Sequence, residues 1–236
     1  MQPTLILLPG LVCDAAVWTP QVTALQAQAR CVVPANGLRD TLTAMAEQVL
    51  AEAPAERFSL AGHSMGGRVA LEVMRLAPQR VERLALMDTG TQPLAAGEAG
   101  EKERAGRLEL LALARAKGMR AMADKWARGM VHPERIDTPL FESVLDILER
   151  SSPEQFAAQI NALLTRPDAT TLLPTIQCPT LVLCGREDSW STPAQHAQMR
   201  DAIPDAELCV IEHCGHMCTL EQPQAVADAL AAWLRR

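Results

Sequence analysis

The segment Gly62-His63-Ser64-Met65-Gly66 has the spacing G-x-S-x-G, with a predicted strand before it and a predicted helix after it. In such a strand-to-helix turn the backbone reverses so tightly that a side chain at Gly62 or Gly66 would clash. The serine is then held in a strained conformation with its hydroxyl pointing outward. The start of the helix adds partial positive charge where an oxyanion would form. The pattern predicts Ser64 as a nucleophile, and the alternative is an ordinary serine in a glycine-rich turn.

A serine hydroxyl needs a base to accept its proton, and the base needs an acid to orient it. In this kind of turn the order along the chain is serine, acid, histidine. Three histidines follow the candidate acids in the sequence. His196 falls inside a predicted helix, whereas His213 and His216 follow the last predicted strand. We favour His216, because its loop lies beyond the carboxyl end of a strand, where open α/β sheets place their ligands. His213 is then structural.

Two aspartates compete as the orienting acid. Asp188 follows the predicted strand 180–184, and Asp88 follows the predicted strand 81–87. Either could reach the histidine; we favour Asp188, and Asp88 would then cap a turn. The two N–H donors of an oxyanion hole are predicted at Met65, next to the nucleophile, and at Leu11 in the loop after the first strand. Pro9 has no N–H to offer in that loop, and a simple Pro-Gly turn is the alternative.

Short apolar segments alternate with longer helical patterns along the chain. Strands are predicted at 5–8, 31–33, 57–61, 81–87, 180–184 and 207–211, and helices at 41–53, 64–76, 193–201 and 222–234. This alternation predicts an α/β fold, with a mostly parallel, doubly wound sheet of about six strands.

Residues 92–174 interrupt this alternation, because no strand is predicted there. We predict a helical cap (lid) inserted into a core formed by residues 1–91 and 175–236. The insertion opens with a flexible, charged segment at 95–101. Helices are then predicted at 104–116, 120–129, 139–150 and 153–164, the last with a capping box from Ser152 to Gln155.

Composition excludes several classes of function. The chain has 236 residues, 48% of them hydrophobic, and a net charge of −6, which disfavours a nucleic-acid partner. The seven cysteines show no framework spacing, and the N-terminal apolar run is short. We therefore expect a cytoplasmic protein with no membrane partner. The cluster of Cys209, Cys214 and Cys218 with His213 and His216 matches no standard zinc spacing, so no metal or other cofactor is predicted.

Taken together, these motifs resemble the α/β-hydrolase fold superfamily in its compact, lidded, carboxylesterase and enol-lactonase-like branch. The resemblance rests on four segments, which cover nearly the whole chain except the insertion. These are Leu7-Leu8-Pro9-Gly10-Leu11 with Trp18, Gly62 to Gly67, residues 180–188 with Pro193, and Cys214-Gly215-His216-Met217 with Glu221-Gln222-Pro223.

The resemblance implies Ser64, Asp188 and His216 as a catalytic triad, Leu11 and Met65 as oxyanion donors, and a helical cap over the site. There are two departures. Pro9-Gly10 stands where the family often has His-Gly, and the chain begins at what is usually the third strand of the family's sheet. The second departure implies a minimal six-stranded core.

The expected function is hydrolysis of a small carboxylic ester through an acyl-enzyme. The same residues could instead act on an enol-lactone, a thioester or a carbon–carbon bond, or serve an acyltransferase or lyase. A non-catalytic ligand-binding protein is a third hypothesis. Trp126 and Trp190 are candidate pocket residues. A carboxylate-bearing substrate would need a cation of the lid, and the candidates are Arg104, Arg107, Arg120, Lys125 and Arg128.

Overall fold

A six-stranded parallel sheet forms the centre of the computed structural model, which describes residues 2–236. The strand order is β2-β1-β3-β4-β5-β6, and every neighbouring pair is parallel. The predicted α/β class and the number of strands are confirmed. The strands are β1 (Thr4–Leu8), β2 (Arg30–Val32), β3 (Phe58–His63), β4 (Val81–Met87), β5 (Thr180–Gly185) and β6 (Ala206–Ile211).

Within residues 2–236, ten α-helices accompany the sheet. They are α1 (Thr19–Leu25), α2 (Leu42–Glu52), α3 (Met65–Leu76), α4 (Glu98–Lys117), α5 (Met119–Ala127), α6 (Pro139–Glu149), α7 (Pro153–Leu164), α8 (Pro193–Ala202), α9 (Cys218–Glu221) and α10 (Pro223–Trp233). The sequence analysis missed α1 and α9, both of which are short. Within residues 2–236, no helix has the length and hydropathy needed to cross a membrane.

The inner strands are apolar because helices cover both faces of the sheet. Every residue of β1, β3 and β5 is buried, as expected where a parallel sheet has no solvent-facing side. The edge strand β6 is partly exposed. The carboxyl ends of β1, β3, β4 and β5 therefore meet at one rim of a rigid sheet, and each is followed by a loop that carries a predicted site residue.

Four helices, α4 to α7, lie between β4 and β5, and we call residues 92–174 the cap segment. Two local predictions were wrong. The segment predicted as flexible is already helical from Glu98, so α4 runs over 20 residues. Ser152 accepts a hydrogen bond from the N–H of Gln155, but the reciprocal bond of a capping box forms instead at Thr192 and Gln195, ahead of α8.

Candidate active site

Ser64 occupies a strained turn between β3 and α3. Its backbone has φ 55° and ψ −118°, and residues other than glycine rarely adopt such a positive φ. The N–H of Ser64 donates to the carbonyl of Met87 over 2.8 Å, which fixes the turn to the end of β4. A Cβ atom at Gly62 would overlap the carbonyl of Gly66, and one at Gly66 would overlap the carbonyl of Leu8. The two glycines are therefore required by the tight turn.

A continuous hydrogen-bonded chain connects three of the predicted site residues. Ser64 Oγ lies 2.8 Å from His216 Nε2, and His216 Nδ1 lies 2.8 Å from Asp188 Oδ2. The other carboxylate oxygen of Asp188 accepts from the N–H groups of Trp190 and Ser191, at 2.8 and 3.0 Å. The structure thus brings Ser64, His216 and Asp188 together from three separate loops and fixes the carboxylate at both oxygens.

The electrostatic surroundings of these three hydrogen-bonded residues favour an ionised Asp188 beside a basic His216. Burial alone would raise the pKa of Asp188, but the positive charge and hydrogen bond of His216 outweigh it and hold the pKa at about 2. Burial alone would lower the pKa of His216, but Asp188 outweighs it and raises the pKa. His216 is therefore well suited to accept a proton from the Ser64 hydroxyl.

The competing acid, Asp88, lies in the same buried group but has a different state. Ligand atoms of Asp88, Asp188 and His216 all lie within 4.8 Å of one another. Burial, followed by the negative charge of Asp188, raises the pKa of Asp88 well above its usual value. Its Oδ1 accepts from the N–H of Gly185 over 2.9 Å. His216 Nδ1–H donates its hydrogen bond to Asp188 rather than to Asp88.

The other histidines contact different partners. His213 is exposed, and its ring packs near that of His132 at a centroid distance of 6.2 Å. His196 Nε2 accepts from the N–H of Thr89 over 3.2 Å, so its proton lies on Nδ1. Burial lowers the pKa of His63 to about 4, and its Nε2 lies 2.7 Å from the carbonyl of His216. His63 supports the loop of His216, a role that the sequence analysis did not predict.

Two backbone N–H groups beside Ser64 are available to a ligand. Leu11 and Met65 are buried and line the same cavity as Ser64. Among residues 2–236, no hydrogen bond uses the N–H of either residue. Met65 is the first residue of α3, where backbone N–H groups have no partner within the helix.

The cap segment holds the loop that contains Leu11, which we call the first-strand loop (residues 9–14). The N–H of Val12 donates to Gln159 Oε1 of α7 over 2.7 Å, and Val12 has a strained φ of 51°. Asp14 pairs with Arg150, which follows α6, at 2.6 Å. The sequence analysis did not predict these contacts, because the partners are separated by more than a hundred residues.

The cap segment also holds the loop of His216, which we call the histidine loop (residues 212–217). The N–H of His216 donates to the carbonyl of Met130 over 2.6 Å. Glu221 accepts from the N–H groups of Gly215 and Met217, both at 3.1 Å, and from the N–H of His132 at 2.7 Å. Glu221 therefore ties the histidine loop to the cap segment.

A cavity of about 1190 Å³ opens above Ser64 and His216, between the sheet rim and the cap segment. Both predicted pocket residues line it. The rings of Trp126 and Trp190 stack at 5.7 Å, and the ring of Trp190 lies 5.1 Å from that of His216. Of the predicted cations, Arg107 and Lys125 line the cavity; Arg120 and Arg128 form ion pairs with acids of the cap segment. Arg68 and Arg166, which we did not predict, also line it.

One buried group has the donor types of a metal site. Ligand atoms of His63, Asp88 and Cys218 lie within 4.8 Å of one another. Burial raises the pKa values of the Cys218 thiol and the Asp88 carboxyl well above their usual values, which favours the protonated form of each. A metal ligand must be deprotonated, and the chemistry of this group therefore opposes metal binding.

Comparison with known proteins places the chain among hydrolases. A model of the Alpha/beta hydrolase family matches residues 5–229. The chain is 29% identical to the pimeloyl-[acyl-carrier protein] methyl ester esterase of Nitrosomonas europaea, over 98% of this chain and 95% of that protein. It is 28% identical to the dihydrolipoyllysine-residue acetyltransferase component of the acetoin cleaving system of Pseudomonas putida, over 98% of this chain but only 63% of that protein. The solved structure of a thermophilic esterase from Thermogutta terrifontis has a TM-score of 0.87 and 27% identity, and the match covers 99% of this chain and 91% of that one.

Proposed function

We propose that this chain, which belongs to the alpha/beta hydrolase family, hydrolyses carboxylic esters through an acyl-enzyme formed on Ser64. The observation that carries the proposal is the continuous series of hydrogen bonds from Ser64 through His216 to Asp188 beside a large cavity. Two of the similar proteins are named as esterases, which supports the choice of an ester bond.

In the first half-reaction, Ser64 Oγ attacks the ester carbonyl carbon while His216 Nε2 takes the hydroxyl proton. The bond to the alcohol oxygen then breaks, and His216 returns the proton to that oxygen. In the second half-reaction, His216 takes a proton from water, which attacks the acyl-enzyme. The acid leaves and Ser64 regains its proton. Asp188 keeps Nε2 facing Ser64 and stabilises the imidazolium in both halves.

The negative charge that develops on the carbonyl oxygen would be bound by the N–H groups of Leu11 and Met65. Two observations support this role: both groups lack a partner within residues 2–236, and both residues line the cavity beside Ser64. Donors of this kind contribute about 3–4 kcal/mol each in comparable hydrolases. The stacked rings of Trp126, which is half-buried, and Trp190, which is partly exposed, would contact the apolar part of the substrate.

The proposal is tested with p-nitrophenyl esters from acetate to dodecanoate, together with labelling by a fluorophosphonate. We expect turnover that varies with acyl length, and a covalent adduct on Ser64 seen by mass spectrometry. An adduct without turnover of any ester would reject simple ester hydrolysis and favour an enol-lactone, a thioester, a carbon–carbon bond or acyl transfer. The lack of both adduct and turnover would reject the nucleophile and favour ligand binding alone.

The pH profile is expected to follow His216. The imidazole must be neutral to accept the serine proton, and Asp188 raises its pKa above the usual 6.5. Activity is therefore present above this raised pKa and lost below it. We expect kcat/KM to fall about tenfold per pH unit on the acid side, with an apparent pKa above 6.5. Circular dichroism over the same range controls for acid unfolding, and an acid limb centred below pH 6 would contradict the assignment.

Removing the contact between Gln159 and Val12 should slow catalysis. Gln159→Leu leaves the buried N–H of Val12 without an acceptor and frees the loop that contains Leu11. We expect kcat to fall about 10- to 100-fold with a smaller change in KM, since a small misplacement of a donor is costly. Gln159→Glu, which keeps an acceptor oxygen, is the matched control. Equal loss in both variants, or an unchanged kcat in Gln159→Leu, would contradict this role.

A further inference from the structure

Three arginines with a single carboxylate among them form one wall of the cavity above Ser64. Arg68 lies on α3, Arg107 and Glu103 lie on α4, and Arg166 follows α7; all four line the cavity. We call these four residues the arginine wall. Its formal charge is +2, in a chain whose net charge is −6.

Glu103 is already occupied by two of the arginines. Arg166 makes a two-pronged contact with it, from Nη1 to Oε1 at 2.7 Å and from Nη2 to Oε2 at 2.8 Å. Arg107 donates to the same Oε1 over 2.9 Å. Burial alone would raise the pKa of Glu103, but the Arg166 hydrogen bonds and the Arg107 charge hold it at about 2. Glu103 therefore balances one positive charge and has little capacity left for a third arginine.

Arg68 is the arginine without an acid. Within residues 2–236, it forms no ion pair, and its guanidinium makes one hydrogen bond, from Nη1 to the carbonyl of Gln92 at 2.9 Å. Arg166 Nε donates to that same carbonyl over 3.2 Å, so the two guanidinium groups are close neighbours. Burial, together with the charges of Arg166 and Arg107, lowers the pKa of Arg68 to about 9. An anion bound here would offset both the burial of the Arg68 charge and its repulsion by Arg166 and Arg107.

The position of Arg68 relative to the nucleophile sets where that anion would lie. Arg68 is four residues after Ser64, and its N–H donates to the carbonyl of Ser64, so the two are one helical turn apart. The side chains of both residues also line the same cavity. A substrate with its ester carbonyl at Ser64 can therefore present a second group to Arg68.

The other charges of the cavity do not cancel this excess. Lys125 and Glu109 pair with each other, and the buried Asp88 carboxyl, whose pKa burial raises well above its usual value, accepts from the N–H of Gly185. Lys102 adds a further positive charge to the lining. Guanidinium groups match carboxylates in shape and can bind them with two parallel hydrogen bonds, which a neutral substrate cannot exploit.

We propose that the arginine wall, with Arg68 as its principal donor, binds a free carboxylate on the substrate, so that the chain selects monoesters of short dicarboxylic acids. The inference rests on the proposed ester hydrolysis and names its substrate class. Water and the monoester give the dicarboxylate, the alcohol and a proton, and the arginines take no part in bond breaking. Arg68 is a binding residue for the substrate's far end.

The test compares the monomethyl and dimethyl esters of succinic, glutaric and adipic acids in a pH-stat. The paired esters share a chain and differ in the charge of the far end. We expect wild type to have a kcat/KM at least tenfold higher on the best monoester than on its diester. In Arg68→Met, kcat/KM should fall by a factor at least ten times larger for the monoester than for the diester. Arg68→Lys should retain part of the preference for the monoester. Arg104→Met, an exposed change on the same helix as Arg107, should leave the ratio unchanged.

The proposal would be overturned if Arg68→Met lowered kcat/KM equally for both esters, or if wild type preferred the diester. Isothermal titration calorimetry distinguishes a failure of this proposal from a failure of the proposed ester hydrolysis. Binding of succinate, glutarate and adipate is measured in Ser64→Ala, with and without Arg68→Met. A tenfold or greater rise in Kd on removal of Arg68 supports the arginine wall even if no ester is hydrolysed. Absence of binding to any dicarboxylate overturns it even if neutral esters are hydrolysed.

Discussion

Ser64→Ala is expected to lower kcat on the best ester by about 10⁴- to 10⁶-fold. The variant lacks the hydroxyl that His216 activates over 2.8 Å, and no acyl-enzyme can form. What remains is catalysis by the oxyanion donors and by binding alone, which is small compared with nucleophilic attack. Substrate affinity should change little, because the lost atom is a small part of the cavity lining. The measurement is steady-state kinetics with mass spectrometry for the fluorophosphonate adduct.

Ser191→Ala is the matched control for the nucleophile. Ser191 also lines the cavity, but its contact with Asp188 uses the backbone N–H, which the substitution keeps. We expect kcat to change less than about threefold. If Ser64→Ala retained more than about a hundredth of the wild-type kcat, a nucleophilic role for Ser64 would be rejected.

Asp188→Asn should lower kcat by about 10³- to 10⁴-fold. An amide can donate to His216 Nδ1, which favours the tautomer with its proton on Nε2, facing Ser64. That tautomer cannot accept the serine proton. The loss of negative charge also removes what raises the pKa of His216. We therefore expect the acid limb of any residual activity to move to lower pH, measured as kcat/KM from pH 5 to 9.

Asp88→Asn, compared with Asp188→Asn, tests which of the two aspartates supports His216. Burial and the charge of Asp188 raise the pKa of Asp88 well above its usual value, which favours the protonated form, and asparagine is a neutral group of the same shape. Its Oδ1 contact with the N–H of Gly185 needs only an acceptor oxygen, which asparagine supplies. We expect less than about a tenfold change in kcat and a smaller shift of the acid limb than in Asp188→Asn. Equal damage in Asp88→Asn and Asp188→Asn would instead show that the two carboxyl groups act as one unit.

The sequence predicts those parts of the site that a local physical constraint specifies. The turn at Ser64 is one, since only glycine fits where the backbones of Gly66 and Leu8 approach. The strands are another, because a sheet covered on both faces demands unbroken apolar runs such as β1 and β5. The helix α1 was missed because it is short and buries Gln21, whose side chain donates to the carbonyl of Thr219.

What depends on contacts between distant segments could not be predicted. Asp88 and Asp188 both follow strands, and only the register of β4 beside β5 and the fold of the loops decide which one reaches His216. Gln159 appears in the sequence as an ordinary polar residue of an amphipathic helix. Arg68 appears as a solvent-facing residue of α3, and its neighbours Arg107 and Arg166 come from the cap segment. No spacing rule connects these residues.

The cap segment covers the cavity and also holds the first-strand loop and the histidine loop. Gln159 and Arg150 bind the first-strand loop, while the carbonyl of Met130 and the N–H of His132 fix the histidine loop. A displacement of the cap segment large enough to break these bonds would release both loops together. The cap segment and the two loops beside Ser64 are thereby coupled, so a change in the position of one is transmitted to the other.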